Sequence, residues 1–235
     1  MKLLAFETAT EACSVALWID GEVRERFEVA PRRHAELSLP WADALLAEAG
    51  LQRAQLDVLA VSRGPGAFTG VRLGISLVQG IALALDRPVA ALSTLAVLAA
   101  GGSGPQPNVL ASIDARMGEV YAGAFEVRDG EPVPLGPETV GAAEDVELPR
   151  AEGDWRATGT GFAAGEGALA TRLAGGLARV DAGALPRAAD LARLAALAAA
   201  RGRLLAPEQV EPAYLRNQVA LTLAEQQALR DARPR

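Results

Sequence analysis

Histidine and cysteine are nearly missing from this sequence: 235 residues hold one of each, His34 and Cys13. A single cysteine excludes an intramolecular disulfide and any multi-cysteine zinc site. A helical His-x-x-x-His metal site needs a second imidazole one turn after the first, and that position is Ser38. Any Ser-His or Cys-His nucleophile pair would have to use His34 itself. Aromatic residues make up 4% of the chain, which argues against aromatic-rich β architecture. Basic excess is missing too. The net charge is −6, with Arg32 and Arg33 the most basic local pair, so a chain that holds nucleic acid unaided is not expected and any part in RNA chemistry should be indirect. No long apolar run is present. The most apolar stretch, 71–85, is interrupted by Arg72, Gln79 and two glycines and reads as too short to span a bilayer. Glu7, Glu11 and Asp20 break up the first 20 residues, so no secretory segment is expected and the compartment reads as cytosol.

What remains is a globular composition, 50% apolar and 22% charged, rich in alanine and leucine and suited to closely packed helices. The chain opens with an apolar strand over 2–6 that ends at Glu7, a polar turn, a strand over 13–19, an Asp20-Gly21 hairpin and a strand over 22–28. A helix is expected over 33–49, closed by Gly50, with two apolar stripes: Leu37, Trp41 and Leu45, and beside them Leu39, Ala42, Leu46 and Ala49. Residues 58–62 read as a doubly covered strand, 71–85 as a helix apolar nearly all round, 89–92 as a strand and 94–100 as a helix. The Gly/Ser/Pro-rich stretch 101–107 marks a boundary.

The second half echoes the first. Residues 109–114 form an apolar strand ending in Asp114, and after the strand 119–127 come Asp129-Gly130-Glu131, matching Asp20-Gly21-Glu22. This reads as an internal duplication of a strand–acid–turn–strand–hairpin unit. The expected fold is α/β and two-lobed, of actin-like (ribonuclease H-like) type, with lobes at 1–103 and 104–216 and a helical tail at 217–235 packing back on the first lobe. Further on, a strand over 155–158, a helix over 163–177 and a helix over 190–201 capped by Asp190 are expected.

In that architecture phosphates meet the backbone of the two hairpin turns. Here the first turn has no glycine and two carboxylates, and the second has only Gly118, so phosphotransfer is not expected. The loop 63–70 carries the most specific local signal. Gly64, Gly66, Thr69 and Gly70 precede a helix, which permits a weak anion or nucleotide site; a tight turn with Thr69 as helix cap is the favoured alternative. His34 is expected to face solvent or to start a helix, and Cys13 to lie in the core. The two apolar helices suggest a partner interface built from Leu37, Trp41, Leu45, Leu73 and Leu77.

Taken together, Ala9-Thr-Glu-Ala-Cys-Ser-Val-Ala-Leu17, Arg63-Gly-Pro-Gly-Ala-Phe-Thr-Gly-Val-Arg72, Asp114-Ala-Arg-Met-Gly-Glu-Val-Tyr121 and Tyr214-Leu-Arg-Asn217 resemble the TsaB (YeaZ) family, bacterial accessory proteins of tRNA threonylcarbamoyladenosine synthesis. The resemblance covers roughly the whole chain and weakens from Arg128 to Arg203. The Gly-Pro-Gly-x-Phe-Thr-Gly block is shared with the catalytic paralogue TsaD, whose metal-bearing His-x-x-x-His helix is absent here. It implies a non-catalytic scaffold that heterodimerises with a TsaD-like paralogue through the helix pair, beside a TsaE-like ATPase and a TsaC that makes the activated intermediate. It implies a homodimer when the chain is alone, indirect contact with tRNA, no membrane, and no cofactor beyond nucleotide at the partner interface. Glu7 departs from the expected aspartate, which weakens metal–nucleotide binding further. The rival readings are a glycoprotease-like metallohydrolase and an actin-like small-molecule kinase.

Overall fold

The computed structural model describes residues 1–102, 104, 106–149 and 154–215; the expected tail at 217–235 and Asn217 lie outside them. The first half builds a five-stranded sheet from β1 (Lys2–Glu7), β2 (Ala12–Ile19), β3 (Glu22–Val29), β4 (Val58–Ser62) and β5 (Val89–Leu92), in the order β3-β2-β1-β4-β5. The second half builds a sheet from β6 (Asn108–Arg116), β7 (Glu119–Arg128), β8 (Glu131–Pro134), β10 (Trp155–Thr158) and β11 (Leu177–Asp181), while β9 (Thr139–Ala142) pairs with β7. Its order, β8-β7-β6-β10-β11, is that of the first sheet. In each sheet an antiparallel meander is followed by two strands parallel to its first strand. The duplication extends to the hairpins: Asp20 and Asp129 sit at φ 49° and 50°, and Gly21 and Gly130 at 106° and 79°. Positive φ at both central residues matches the strand twist, which is why Asp-Gly recurs.

Period-two alternation within continuous apolar strands buries both faces of the first sheet. Leu4 and Phe6 of β1 join Leu59 and Val61 of β4 in a core under α1 (His34–Glu48) and α2 (Phe68–Leu85). Leu3 and Ala5 face the opposite way, with Val58 and Ala60, into a core closed by α5 (Ala188–Ala200). In the second sheet, Leu110, Ala157 and Trp155 pack with Leu169 of α4 (Ala164–Leu173). Val109, Ala111 and Ile113 pack on the other face with Leu95, Leu98 and Ala99 of α3 (Thr94–Gly101).

The boundary at 103/104 therefore does not divide the molecule in space. α3 precedes it yet covers the second sheet, whereas α5 follows it and covers the first. The N-terminus of α5 is held by the other half as well. Its N-cap is Arg187, not Asp190. Ser14 Oγ accepts from Ala188 N at 3.0 Å, and Glu25 accepts from Ala189 N at 3.0 Å and from Arg187 Nη2 at 2.6 Å. Supplying acceptors to the first turn of a helix is what a cap does, here from residues remote in sequence. The expected helix over 163–177 is shorter. Gly165, Glu166 and Gly167 turn left-handed inside it, and β11 begins at Leu177.

Candidate functional site

Two surfaces stand out: a cleft between the halves, and the outer side of α1 and α2. The cleft encloses about 1170 Å³ between the first hairpin turn, the starts of α1 and α2, the second turn at Ile113–Met117, and Pro212–Leu215.

The glycine loop belongs to the wall of this cleft, and its glycines serve a close approach. A Cβ on Gly66 would stand 2.3 Å from Ala9 O, and one on Gly70 2.1 Å from Thr8 O. The loop is pinned to the first turn by Ala67 N donating to Ala9 O at 2.7 Å and Thr8 Oγ1 donating to Gly70 O at 2.8 Å. Of the two readings the sequence left open, the structure supports the tight turn. Gly64 supplies a φ of 101°. Thr69 is not the cap: α2 begins at Phe68 with Ala67 as N-cap. The second half repeats the device, since a Cβ on Gly159 would meet Ser112 O at 2.1 Å.

Glu7, the acid at the end of β1, is fully buried. Its carboxylate accepts from Ala9 N at 2.8 Å and from the Ser62 hydroxyl. Burial raises its pKa to about 7, against the lowering effect of those hydrogen bonds. Its counterpart Asp114 is half-buried and accepts from Arg116 N at 2.8 Å. Among the described residues no three His, Cys, Asp or Glu side chains gather into a metal-holding group.

Of the two placements expected for His34, the structure gives the helix start: it opens α1 and is buried. Its Nε2 lies 2.9 Å from Thr10 O and 3.1 Å from Ala12 O, so the imidazole N–H satisfies two carbonyls of the first turn. One turn later Ser38 Oγ donates to His34 O at 2.6 Å and sits 3.6 Å from Cys13 Sγ. The face where a metal helix would carry two imidazoles is here a closed structural contact.

The five residues expected at a partner interface divide. Leu37 and Leu45 are core: Leu37 packs with Cys13 and Ala30, and Leu45 lies under the first sheet. Trp41 is half-buried and packs against both clusters. Leu73 and Leu77 are half-buried on α2. Outside them stand two residues the sequence reading did not select, Leu39 (43% exposed) and Leu83 (61% exposed). Because α2 starts at Phe68, it reaches 18 residues, long and apolar enough to cross a membrane by length and composition, where a stretch too short for that was expected. Here it packs on β4 through Val71, Ile75, Val78 and Ala82, while Leu83 stays exposed on its outer side. Its apolar character all round was the signal for Leu83.

Comparison with known proteins agrees with this architecture. The family model described as "TsaD: tRNA N6-adenosine threonylcarbamoyltransferase" matches residues 27–222. The tRNA threonylcarbamoyladenosine biosynthesis protein TsaB of Escherichia coli K12 is 40% identical over 226 residues, 94% of this chain and 96% of its own length. The Haemophilus influenzae protein of the same name is 37% identical over 93% of this chain and 95% of its own. The solved structure of YeaZ from Pseudomonas aeruginosa superposes with a TM-score of 0.83 at 44% identity, covering 91% of this chain and 99% of that one. With a two-lobed duplicated fold and full-length relatives of this kind, the chain belongs to the TsaB (YeaZ) family of tRNA threonylcarbamoyladenosine biosynthesis proteins.

Proposed function

We propose that this chain works in tRNA threonylcarbamoyladenosine synthesis as a non-catalytic scaffold in the cytoplasm. It binds a TsaD-like catalytic paralogue through the outer face of α1 and α2. The carrying observation is the outer side of α2, where Leu83 stands 61% exposed and Leu73 and Leu77 are half-buried. Apolar surface of that extent, left on a helix by its own fold, is stabilised by association. Leu39, Leu73, Leu77 and Leu83 supply the contact, with the half-buried Trp41 stiffening α1 behind them. Alone, the chain pairs with a second copy through the same face.

The chemistry around α1 supports a structural role. The His34 ring is engaged with carbonyls of the first turn, Ser38 with the backbone of its own helix, and Glu7 is sealed in the core. The chain therefore needs no cofactor; the partner supplies the metal chemistry, a TsaE-like ATPase acts on the pair, and tRNA is held mainly by the partner. The name of the relatives supports the pathway, and the match to the transferase model supports common descent with the proposed partner. Sedimentation of this chain, the paralogue and their mixture tests it. A one-to-one complex that forms as the homodimer dissociates is expected; a mixture that sediments as separate species would contradict it.

A further inference from the structure

The rim of the cleft gathers exposed aromatics in a chain with few of them. Phe68 and Tyr214 are 70% and 60% exposed. Between them lies Arg72, its guanidinium carbon 3.3 Å from the Phe68 ring centroid and 5.1 Å from that of Tyr214. Arg72 is locked there, donating from Nη1 to Phe68 O at 3.0 Å and from Nη2 to the Tyr214 hydroxyl at 2.7 Å. The three form a preorganised stack with much of its ring surface open to solvent.

Elsewhere on the same cleft the second turn presents Arg116 and Met117, held at φ 68° and 58°, with Met117 90% exposed. Arg32, also lining the cleft, sits at φ 71°. A left-handed conformation costs a residue with a side chain about 1 kcal/mol or more, and such strain collects where a side chain must be aimed. Charge runs opposite to the rest of the chain. Arg32, Arg72 and Arg116 line the cleft against Glu11 and Asp114, one positive charge in excess, while the whole chain carries −6. Asp114 is further engaged by Arg116 N and, at 3.4 Å, by Arg116 Nη1.

Open aromatic faces flanked by guanidinium groups suit a nucleobase. An unpaired base offers a π face to Phe68 or Tyr214 and acceptor edges to arginine. The phosphates of a free nucleotide would find no glycine cradle, because Gly66 and Gly70 are filled by the first turn. We propose that this rim stacks an unpaired base of single-stranded RNA, presented by a tRNA loop in the complex. The inference rests on the scaffold reading above and adds to it a direct RNA contact by this chain. The net charge is consistent with a limited role: phosphate neutralisation, which drives unaided RNA binding, is absent, whereas base stacking on aromatics is a separate and sequence-tolerant contribution.

The test uses the heterodimer and an anticodon stem–loop RNA carrying 5-iodouridine in its loop. Irradiation should crosslink the RNA to Phe68 or Tyr214. Phe68→Ala should weaken stem–loop binding about tenfold, and the exposed position leaves the fold intact. Phe68→Tyr should bind like the native chain and Phe68→Leu like the alanine variant, while heterodimer affinity without RNA stays unchanged in all three. Leucine serving as well as phenylalanine, crosslinks confined to the partner, or lost heterodimer affinity without RNA would each overturn the proposal, the last assigning the rim to protein docking. If the native proteins do not associate, the scaffold reading fails, and crosslinking of this chain alone at high RNA concentration decides the base contact separately.

Discussion

Glu7 is the residue whose burial has the clearest consequence. Its ordinary pKa of 4.5 is raised to about 7 by desolvation, so the folded state holds a proton that the unfolded chain has released across that interval. Stability linked to Glu7 is therefore full below pH 4.5, declines as pH rises towards 7, and is flat above, a loss of about 3 kcal/mol. Glu7→Gln keeps the shape and an acceptor for Ala9 N without a charge to desolvate. It should match the native chain at pH 5 and exceed it at pH 8 in urea melts; an unchanged pH dependence would show that Glu7 is solvated. Gly70 is the second residue with a sharp prediction. With Thr8 O 2.1 Å from the place of a Cβ, Gly70→Ala must push two backbones apart. A loss of about 2 kcal/mol or more is expected by denaturant titration. No loss would mean that the glycine serves something other than this approach.

At the scale of elements, most of the structure was legible. The strand at 58–62 falls where its apolar run placed it, because a strand buried on both faces needs no partner in its own sequence to be recognised, and the strands expected at 89–92 and 155–158 are there too. The start of α2 was not legible. Phe68-Thr69-Gly70 reads as a turn, but Gly70 is there to let the helix touch the first hairpin turn. The stripes of α1 were found, yet a stripe does not say which side meets the sheet: Leu37 and Leu45 turn inward, and Leu39 turns out. The same ambiguity separates Trp41 from Leu83. Trp41→Ala should cost about 2 kcal/mol of monomer stability, since the ring packs against two clusters. Leu83→Asp should leave the melting temperature within a few degrees while abolishing association with the partner. The converse pattern, a stable Trp41→Ala chain and an unfolded Leu83→Asp chain, would place the interface elsewhere.

For the whole molecule, the duplication was visible because its hairpins repeat the same Asp-Gly chemistry, and the matching strand orders follow from it. The exchange of α3 and α5 between the sheets was not. Both are alanine- and leucine-rich, and nothing in such a face names the sheet it covers. Nor does sequence reveal that Glu25 caps a helix some 160 positions away. The cleft rim escaped notice for a related reason, as Phe68 and Tyr214 meet only in the folded chain. What the fold leaves over is the outer side of α1 and α2, where Leu39 and Leu83 are exposed. The central claim is that this face makes another enzyme competent. The most direct measurement is threonylcarbamoyl transfer to tRNA by the TsaD-like paralogue of the same pathway, with all other components present, with and without this chain. Modification that requires the native chain and is not restored by Leu83→Asp is the predicted result; full modification without the chain would contradict it.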